Sequence, residues 1–316
     1  MTENALKTSP FNCDGAHLAA PYVLLTAAHN EEAYIAGVIE SVIAQTVRPA
    51  KWVIVSDRST DGTDEIARSY CDRFEFIKLL HVSHDAGRGT PSKVNALRAG
   101  LERMQGESYE FIGNLDCDIL LSADYYERLL ERFRSEPMLG ICGGMIFEKR
   151  NGQLLSRPAN RSNSVAHAIE LVRKECFEAI GGYFPLKYGG EDWLAELSAR
   201  MLGWKTRSFS DLEARHLRPT GGADTWHRHC FREGKADYSF GTIPVFELLK
   251  CVARIPEEPW VLGAIVRLAG YCWSCIKRDE LLVPSAVVQF LRQEQRQRVL
   301  RLFFLGNRGM DARLDI

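Results

Sequence analysis

Short apolar runs and amphipathic helical patterns alternate for about 200 residues of this 316-residue chain, and few folds accommodate such an alternation. Tyr22 to Thr26 is a short apolar run, after which Ile35, Val38, Ile39, Val42 and Ile43 recur at the spacing of one helix face. Trp52 to Val55 reads as a buried strand, the Ser59 to Thr63 loop supplies helix-capping side chains, and a helix is predicted from about Asp64 to Tyr70. A third strand over Phe76 to Leu80 leads through a Gly-rich loop to a helix from about Ser92 to Arg103. A fourth covers Tyr109 to Ile112, with Ser122 placed to cap the helix that follows, and a short strand pattern lies near Lys205 to Phe209. Units of this kind predict an α/β, Rossmann-like domain with a mainly parallel sheet and helices on both faces. At 46% hydrophobic residues, the chain can bury one large core and one smaller appendage. The expected division is a tail over 1–20, the α/β domain over 21–225 and a helical extension over 226–316.

Polar residues gather where the predicted strands end, which is where open α/β sheets bind ligands. The loops read Ala27-Ala28-His29-Asn30-Glu31-Glu32, Ser56-Asp57-Arg58-Ser59-Thr60-Asp61-Gly62-Thr63, Gly87-Arg88-Gly89-Thr90-Pro91-Ser92-Lys93 and Asn114-Leu115-Asp116-Cys117-Asp118. Asn30, Ser59 and Asp61 are equally well explained as turn or helix caps. Taken as one rim, Asp57, Lys93, Asp116 and Asp118 have the composition of a nucleoside diphosphate site: a carboxylate for base N–H groups, a cation for phosphate and a carboxylate pair for a metal. The metal follows from charge. Two unit charges of like sign at about 4 Å repel by ~4 kcal/mol at an effective dielectric of 20, so a diphosphate facing these carboxylates needs a cation between them. Oxygen ligands without clustered Cys and His predict Mg2+ or Mn2+ rather than zinc. A net charge of -1 argues against general nucleic-acid binding.

Five motifs, in the order TAAHNEE, VIVSDRSTDGTDEIA, GTPSKVNALRAGLE, NLDCD and GGYFPLKYGGEDWLAELSARMLG, resemble those of inverting, family-2-type glycosyltransferases with the GT-A fold, over residues 22 to about 220. The resemblance implies a nucleotide-diphosphate sugar as donor and a saccharide or lipid-linked acceptor, as in cell-surface polysaccharide or glycolipid synthesis. By it, Ala27, Asn30, Glu32 or Glu31, and Asp57 would meet the nucleoside, and Lys93 the diphosphate. Asp118 would hold the metal, Asp116 would lie near the sugar, ribose or metal, and His216 would be a further metal ligand or a structural hydrogen-bonder. Asp192 of the Glu191-Asp192 pair would be the general base. Ser56 stands where the family usually has a second acid and Arg58 where it has a small residue, so the base is left unassigned. Two other readings are a nucleotide-sugar pyrophosphorylase, for which TAAHNEE is a poor triphosphate loop, and a binding module without chemistry, against which Asp192 argues.

Beyond residue 225 the pattern changes. Trp226 to Lys235 mixes cations and aromatics as a segment closing over the donor would, but lacks the QxxRW pattern of processive synthases. Val245 to Val252, Trp260 to Ile276 and Val287 to Leu305 are helical in pattern and too short or too charged to span a bilayer. They fit a helical cover, or an interfacial element in which Arg267, Lys277, Arg278, Arg292, Arg296, Arg298 and Arg301 meet anionic lipid and Trp260, Tyr271 and Trp273 the headgroups. Cys272-Trp273-Ser274-Cys275 is expected to pack in a helix core. Nine scattered cysteines and an N-terminus without an apolar core predict a cytoplasmic protein, in contact with the inner face of the membrane if the helices are interfacial.

Overall fold

The structure is a computed structural model that describes residues 20–83, 90–150, 152–157, 160–218 and 225–305. The tail expected before residue 20 and the Gly87-Arg88-Gly89 loop lie outside these residues. The first half alternates as the sequence predicts: β1 (Tyr22–Ala28), α1 (Ile35–Ile43), β2 (Lys51–Asp57), α2 (Thr63–Cys71), β3 (Ile77–Val82), α3 (Thr90–Glu102) and β4 (Phe111–Asn114). There follow β5 (Ile119–Leu121), α4 (Tyr125–Ser135), β6 (Leu139–Arg150), β7 (Gln153–Ser156), a 3-10 turn (His167–Ile169) and β8 (Leu171–Arg173). The domain closes with α5 (Lys174–Ile180), α6 (Glu191–Met201) and β9 (Lys205–His216), and the extension with α7 (Trp226–Ser239), α8 (Pro244–Ala253), α9 (Val261–Lys277) and α10 (Ser285–Leu305).

One sheet runs β3-β2-β1-β4-β8-β6-β9-β5, with β7 paired to β6. Strands β3, β2, β1 and β4 are parallel, and antiparallel pairing enters at β8, which bonds to β4 and β6. Central parallel strands are covered on both faces, which explains why β1 and β2 read as continuous apolar runs. One face buries Leu24, Ile39, Trp52, Ile54 and Leu129 and the other Val23, Val53, Leu97, Ile112 and Ala195. Each fully buried aliphatic side chain contributes roughly 1.5–3 kcal/mol, against ~0–1 kcal/mol for an exposed pair such as Lys205–Glu136, so the core rather than surface ion pairs holds the domain.

Three expectations are corrected. Ser122 does not cap α4: the helix begins after Asp124, without a side-chain cap bond, and the Ser122 carbonyl is taken by Gln45 Nε2 at 2.7 Å. Strand β9 extends to His216 itself rather than ending near Phe209. Cys272, Trp273 and Cys275 lie on α9 with their side chains exposed, and Ser274 is the buried member of the four.

The helices after residue 225 pack on the domain through α6 and α10, where Leu194, Leu197, Phe240, Val287 and Leu291 form a third cluster. Trp193 of α6 stacks on Phe240, with ring centroids 4.5 Å apart. Helices α7 and α9 approach so closely that a Cβ at Gly234 would fall 1.9 Å from the Arg267 carbonyl oxygen. Arg267 is only 6% exposed and bonds Asp237 and Glu233, so it is committed internally. Among the described residues no helix is long and apolar enough to cross a membrane.

Candidate active site

Register brings the polar loops to one edge. Pairing of β1 sets Ala28 opposite Ser56 and Leu25 opposite Asn114, so the chain leaves β1, β2 and β4 on the same side of the sheet. The turn after β4 is then pinned from below. The indole of Trp52 donates to Thr26 Oγ1 at 3.0 Å, and that hydroxyl donates to the Leu115 carbonyl at 2.7 Å. The Leu115 amide donates to Leu25 O and the Asp116 amide to Ala168 O, both at 3.0 Å. Because buried backbone groups must be paired, these bonds fix where the two following carboxylates emerge.

Above the turn lies a cleft of about 260 Å3, whose walls include Ala27, Asp57, Lys93, Asp116, Asp118 and Arg218. Five of these are residues that the sequence assigns to the site. Asn30 and Glu32, also assigned, are not among its lining residues. Asn30 Oδ1 accepts from the Thr60 amide at 2.8 Å, Glu32 Oε2 accepts from the Gly62 amide at 3.0 Å, and the Glu32 amide donates to Asp61 at 3.1 Å. They tie the first loop to the second. Glu31 is the acid that lines the cleft, with its amide donating to Thr63 Oγ1 at 2.7 Å and its carboxyl raised by burial.

At the floor, Lys93 Nζ lies 2.7 Å from Asp116 Oδ1. Burial, the largest influence on each, opposes both charges. Their mutual attraction outweighs it, so the Lys93 amine stands above and the Asp116 carboxyl below its ordinary range. Asp57 accepts a bond from Ser92 and holds Arg58 Nε at 2.9 Å. Arg58 has a φ of 56°, a left-handed conformation that few non-glycine residues adopt.

Strand pairing also positions the metal candidates. His216 is opposite Ile119 on β5 and opposite Glu148 on β6, which puts its ring beside Asp118. Its Nε2 lies 3.1 Å from Asp118 Oδ2 and its Nδ1 3.3 Å from Glu148 Oε1. Metal-binding imidazoles are commonly oriented by a carboxylate on the second nitrogen, and Glu148, 1% exposed, stands in that position. Among the described residues, Glu31 Oε2 is buried without a hydrogen-bond partner. This donor set fits a hard divalent cation. Asp116 belongs instead to the Lys93 pair, and among the described residues no three His, Cys, Asp or Glu side chains form a ready metal cage. Diphosphate oxygens and water would complete the coordination, the usual arrangement for Mg2+.

The second centre is the start of α6. Gly190 precedes it with φ 94°, and a Cβ there would come 2.7 Å from the Phe240 ring, so glycine sets the turn that presents Glu191 and Asp192. The two acids face different surroundings. Glu191 is 8% exposed with Oε1 3.5 Å from His167 Nδ1, whereas Asp192 is half-buried and, among the described residues, accepts a hydrogen bond from the Trp193 amide alone, at 2.8 Å. Burial pushes Glu191 up and His167 more than offsets it, leaving the carboxyl below its ordinary value. Behind His167, Glu170 Oε1 lies 3.3 Å from Nε2 and accepts the Tyr183 hydroxyl, and burial pushes its carboxyl up to about 7. Sequence reading missed His167, Glu170, Glu148 and Arg218, which stand outside the five motifs, and gave no role to Tyr183, which stands inside the last of them.

One turn along α6, Glu196 accepts the Val165 amide, and burial pushes its carboxyl up to about 8. The unfolded carboxyl titrates near about 4.3. Folded protein therefore retains a proton that the unfolded chain has lost, and this stabilisation, whole below about pH 4, is lost as pH rises through 8. Glu196→Gln keeps the acceptor oxygen and removes the titration. Chemical denaturation is expected to show wild-type stability falling between pH 6 and 9 by about 1–3 kcal/mol more than that of the variant, in which Glu170 and Glu247, both pushed up to about 7, still titrate; equal slopes would mean that Glu196 is ionised throughout.

A family model described as "Glycosyl transferase family 2" matches residues 24–187, just over half of the chain. EpsH from Bacillus subtilis (strain 168) is 32% identical over 119 residues, 38% of this chain and 32% of that protein. Poly-beta-1,6-N-acetyl-D-glucosamine synthase from Staphylococcus aureus (strain COL) is 29% identical over 120 residues, 38% of this chain and 27% of the synthase. The match thus spans about a third or less of these curated relatives. Among solved structures, the mannosyltransferase PcManGT from Pyrobaculum calidifontis, in complex with GDP-Man and Mn2+, aligns with a TM-score of 0.55 at 16% identity, over 92% of this chain and 84% of that one. At that identity the likeness shows the GT-A fold.

Proposed function

Because the chain belongs to glycosyl transferase family 2, we propose that this glycosyltransferase moves a sugar from a nucleotide-diphosphate donor to a saccharide or lipid-linked acceptor hydroxyl, with inversion and with a divalent cation, in cell-surface polysaccharide synthesis. The observation that carries the reading is the position of Lys93, which lines the cleft, pairs with Asp116 and lies close enough to Glu191 and Asp192 for their charges to act on it. Donor cleft and base then form one site.

Asp57 and Arg58 would meet the nucleobase side of the donor, and Lys93 the diphosphate. Asp118 and His216, oriented by Glu148, would hold the cation, which when bound supplies positive charge to the departing diphosphate. Asp192 accepts the proton of the acceptor hydroxyl as that oxygen attacks the anomeric carbon opposite the leaving group, and a single displacement inverts the configuration. Glu191, tied to His167, orients the start of α6. Thermal-shift screening of UDP- and GDP-sugars with Mn2+ tests the donor assignment, since ligand binding to the folded state raises stability by RT ln(1 + [L]/Kd). Stabilisation by one nucleotide class that a chelator abolishes is expected, and no response to any nucleotide sugar would remove the reading.

For the extension, the reading is peripheral contact with the cytoplasmic membrane. Leu262, Ile265, Trp273 and Ile276 on α9 and Val245, Leu248 and Val252 on α8 are all exposed, and the outward face of α9 carries no charge before Lys277. A helix apolar on its solvent side is disfavoured in water and suited to an interface. Arg267 and Arg292 are bonded internally, so apolar insertion carries more of the contact than the count of basic residues implies. Leu262→Glu with Ile265→Glu is expected to reduce co-sedimentation with anionic vesicles by about tenfold or more while leaving nucleotide-sugar affinity unchanged; undiminished co-sedimentation would exclude this face.

A further inference from the structure

The oxygen that the metal reading needs is already engaged. Asp118 Oδ2, 3.1 Å from His216 Nε2, also lies 2.5 Å from Arg218 Nε, and Arg218 Nη2 reaches Glu31 Oε1 at 2.8 Å. Asp118 and Glu31 are buried carboxylates, whereas the Arg218 side chain is 47% exposed, with its guanidinium 5.7 Å from the Tyr34 ring centroid. Two nearby acids in a buried setting repel one another, and a guanidinium between them removes that repulsion. In this arrangement Arg218 does what a divalent cation would do.

Guanidinium and metal ion on one carboxylate oxygen repel each other in a half-buried cleft by more than thermal energy. Metal binding at Asp118 Oδ2 therefore favours departure of Arg218 from it. Its long, half-exposed side chain permits this, and it already lines the donor cleft. A diphosphate in that cleft offers the paired oxygens that a planar guanidinium recognises.

We propose that Arg218 is an exchangeable cation of the donor site: it holds Asp118 and Glu31 in the free protein, yields Asp118 to the metal, and passes to the diphosphate of the nucleotide, so that metal and nucleotide bind as a coupled pair. The inference rests on the metal-dependent reading above and adds the coupling. Metal alone binds weakly because it displaces Arg218 into solvent. With a diphosphate present the displaced guanidinium gains a partner, and by linkage each ligand tightens the other equally.

Binding of Mn2+ to the whole 316-residue chain, read from the electron paramagnetic resonance signal of free Mn2+, tests this without turnover. Wild type, Arg218→Gln, Arg218→Lys and Asp118→Asn are titrated with Mn2+ alone and in the presence of UDP or GDP. Arg218→Gln is expected to bind Mn2+ alone about fivefold or more tightly than wild type, and the tightening by nucleotide is expected to fall from about tenfold or more to under about threefold. Arg218→Lys, which keeps the charge but loses the fork, is expected to lie between. If Arg218→Gln binds Mn2+ no more tightly than wild type, or keeps full coupling, while Asp118→Asn loses Mn2+, the exchange is refuted and the metal site stands. If wild type binds no Mn2+ with either nucleotide, the metal-dependent reading fails and takes the exchange with it.

Discussion

Asp192→Asn is expected to lower turnover by about 100-fold or more, the usual scale for losing a general base, while donor affinity stays within a few-fold. The substitution keeps shape and the bond to the Trp193 amide and removes only the ability to take a proton. Asp192 is half-buried, and among the described residues no hydrogen bond ties it into the His167 network, so little folding stability depends on its charge. Glu191→Gln differs. It disturbs the 3.5 Å contact with His167 below the site and is expected to lower thermal stability together with turnover. Single-turnover kinetics with saturating donor separate the two, and an Asp192→Asn enzyme with unimpaired turnover would assign the proton to another group.

The second large effect falls on Asp118. Removing the carboxylate proposed to hold the metal is expected to weaken donor binding in Mn2+ by about 100-fold or more. The choice of variant matters because Asp118 is only 4% exposed and is bonded to both Arg218 and His216. It is not the free loop residue that its sequence context implies. Asp118→Ala would remove one of the two acids that each of those groups is paired with, so Asp118→Asn, which keeps the volume, separates loss of metal from loss of fold. Calorimetric titration of nucleotide with and without Mn2+ reads the difference, and an affinity that still rises with Mn2+ in the variant would place the metal elsewhere.

The legible part of this fold was the part built from local pattern. Strands β1 to β4 are apolar runs because parallel central strands are buried on both faces, and α1 and α2 show one apolar stripe each. The motif residues at the strand ends, from Ala27 to Asp118, could be placed because parallel strands deliver their C-terminal ends to one edge. Strand β6, LGICGGMIFEKR, has glycines where neighbouring atoms leave no room for a side chain, and these break the alternation that marks a strand. With β6 unseen, Glu148 had no reason to be placed against His216. Such a partner is a property of register across more than 60 residues of chain, which no local window contains. Periodicity alone also does not say which side of α9 faces inward: Leu262 and Ile265 face solvent, whereas Arg267, counted among the lipid-facing cations, is buried.

Asn30 and Glu32 show how a pattern can name a loop without naming the atoms that line its cleft. Both are cross-links between the first two loops, and the carboxylate in the cleft is their neighbour Glu31.

The most direct measurement is nucleotide release from UDP- and GDP-sugars by wild type, Asp118→Asn and Asp192→Asn, with Mn2+ or with excess chelator. The predicted result is release from one donor class by wild type in Mn2+ only, loss of donor binding in Asp118→Asn, and retained binding without release in Asp192→Asn. Release that persists in chelator, or in both variants, would contradict a metal-assisted displacement driven by Asp192.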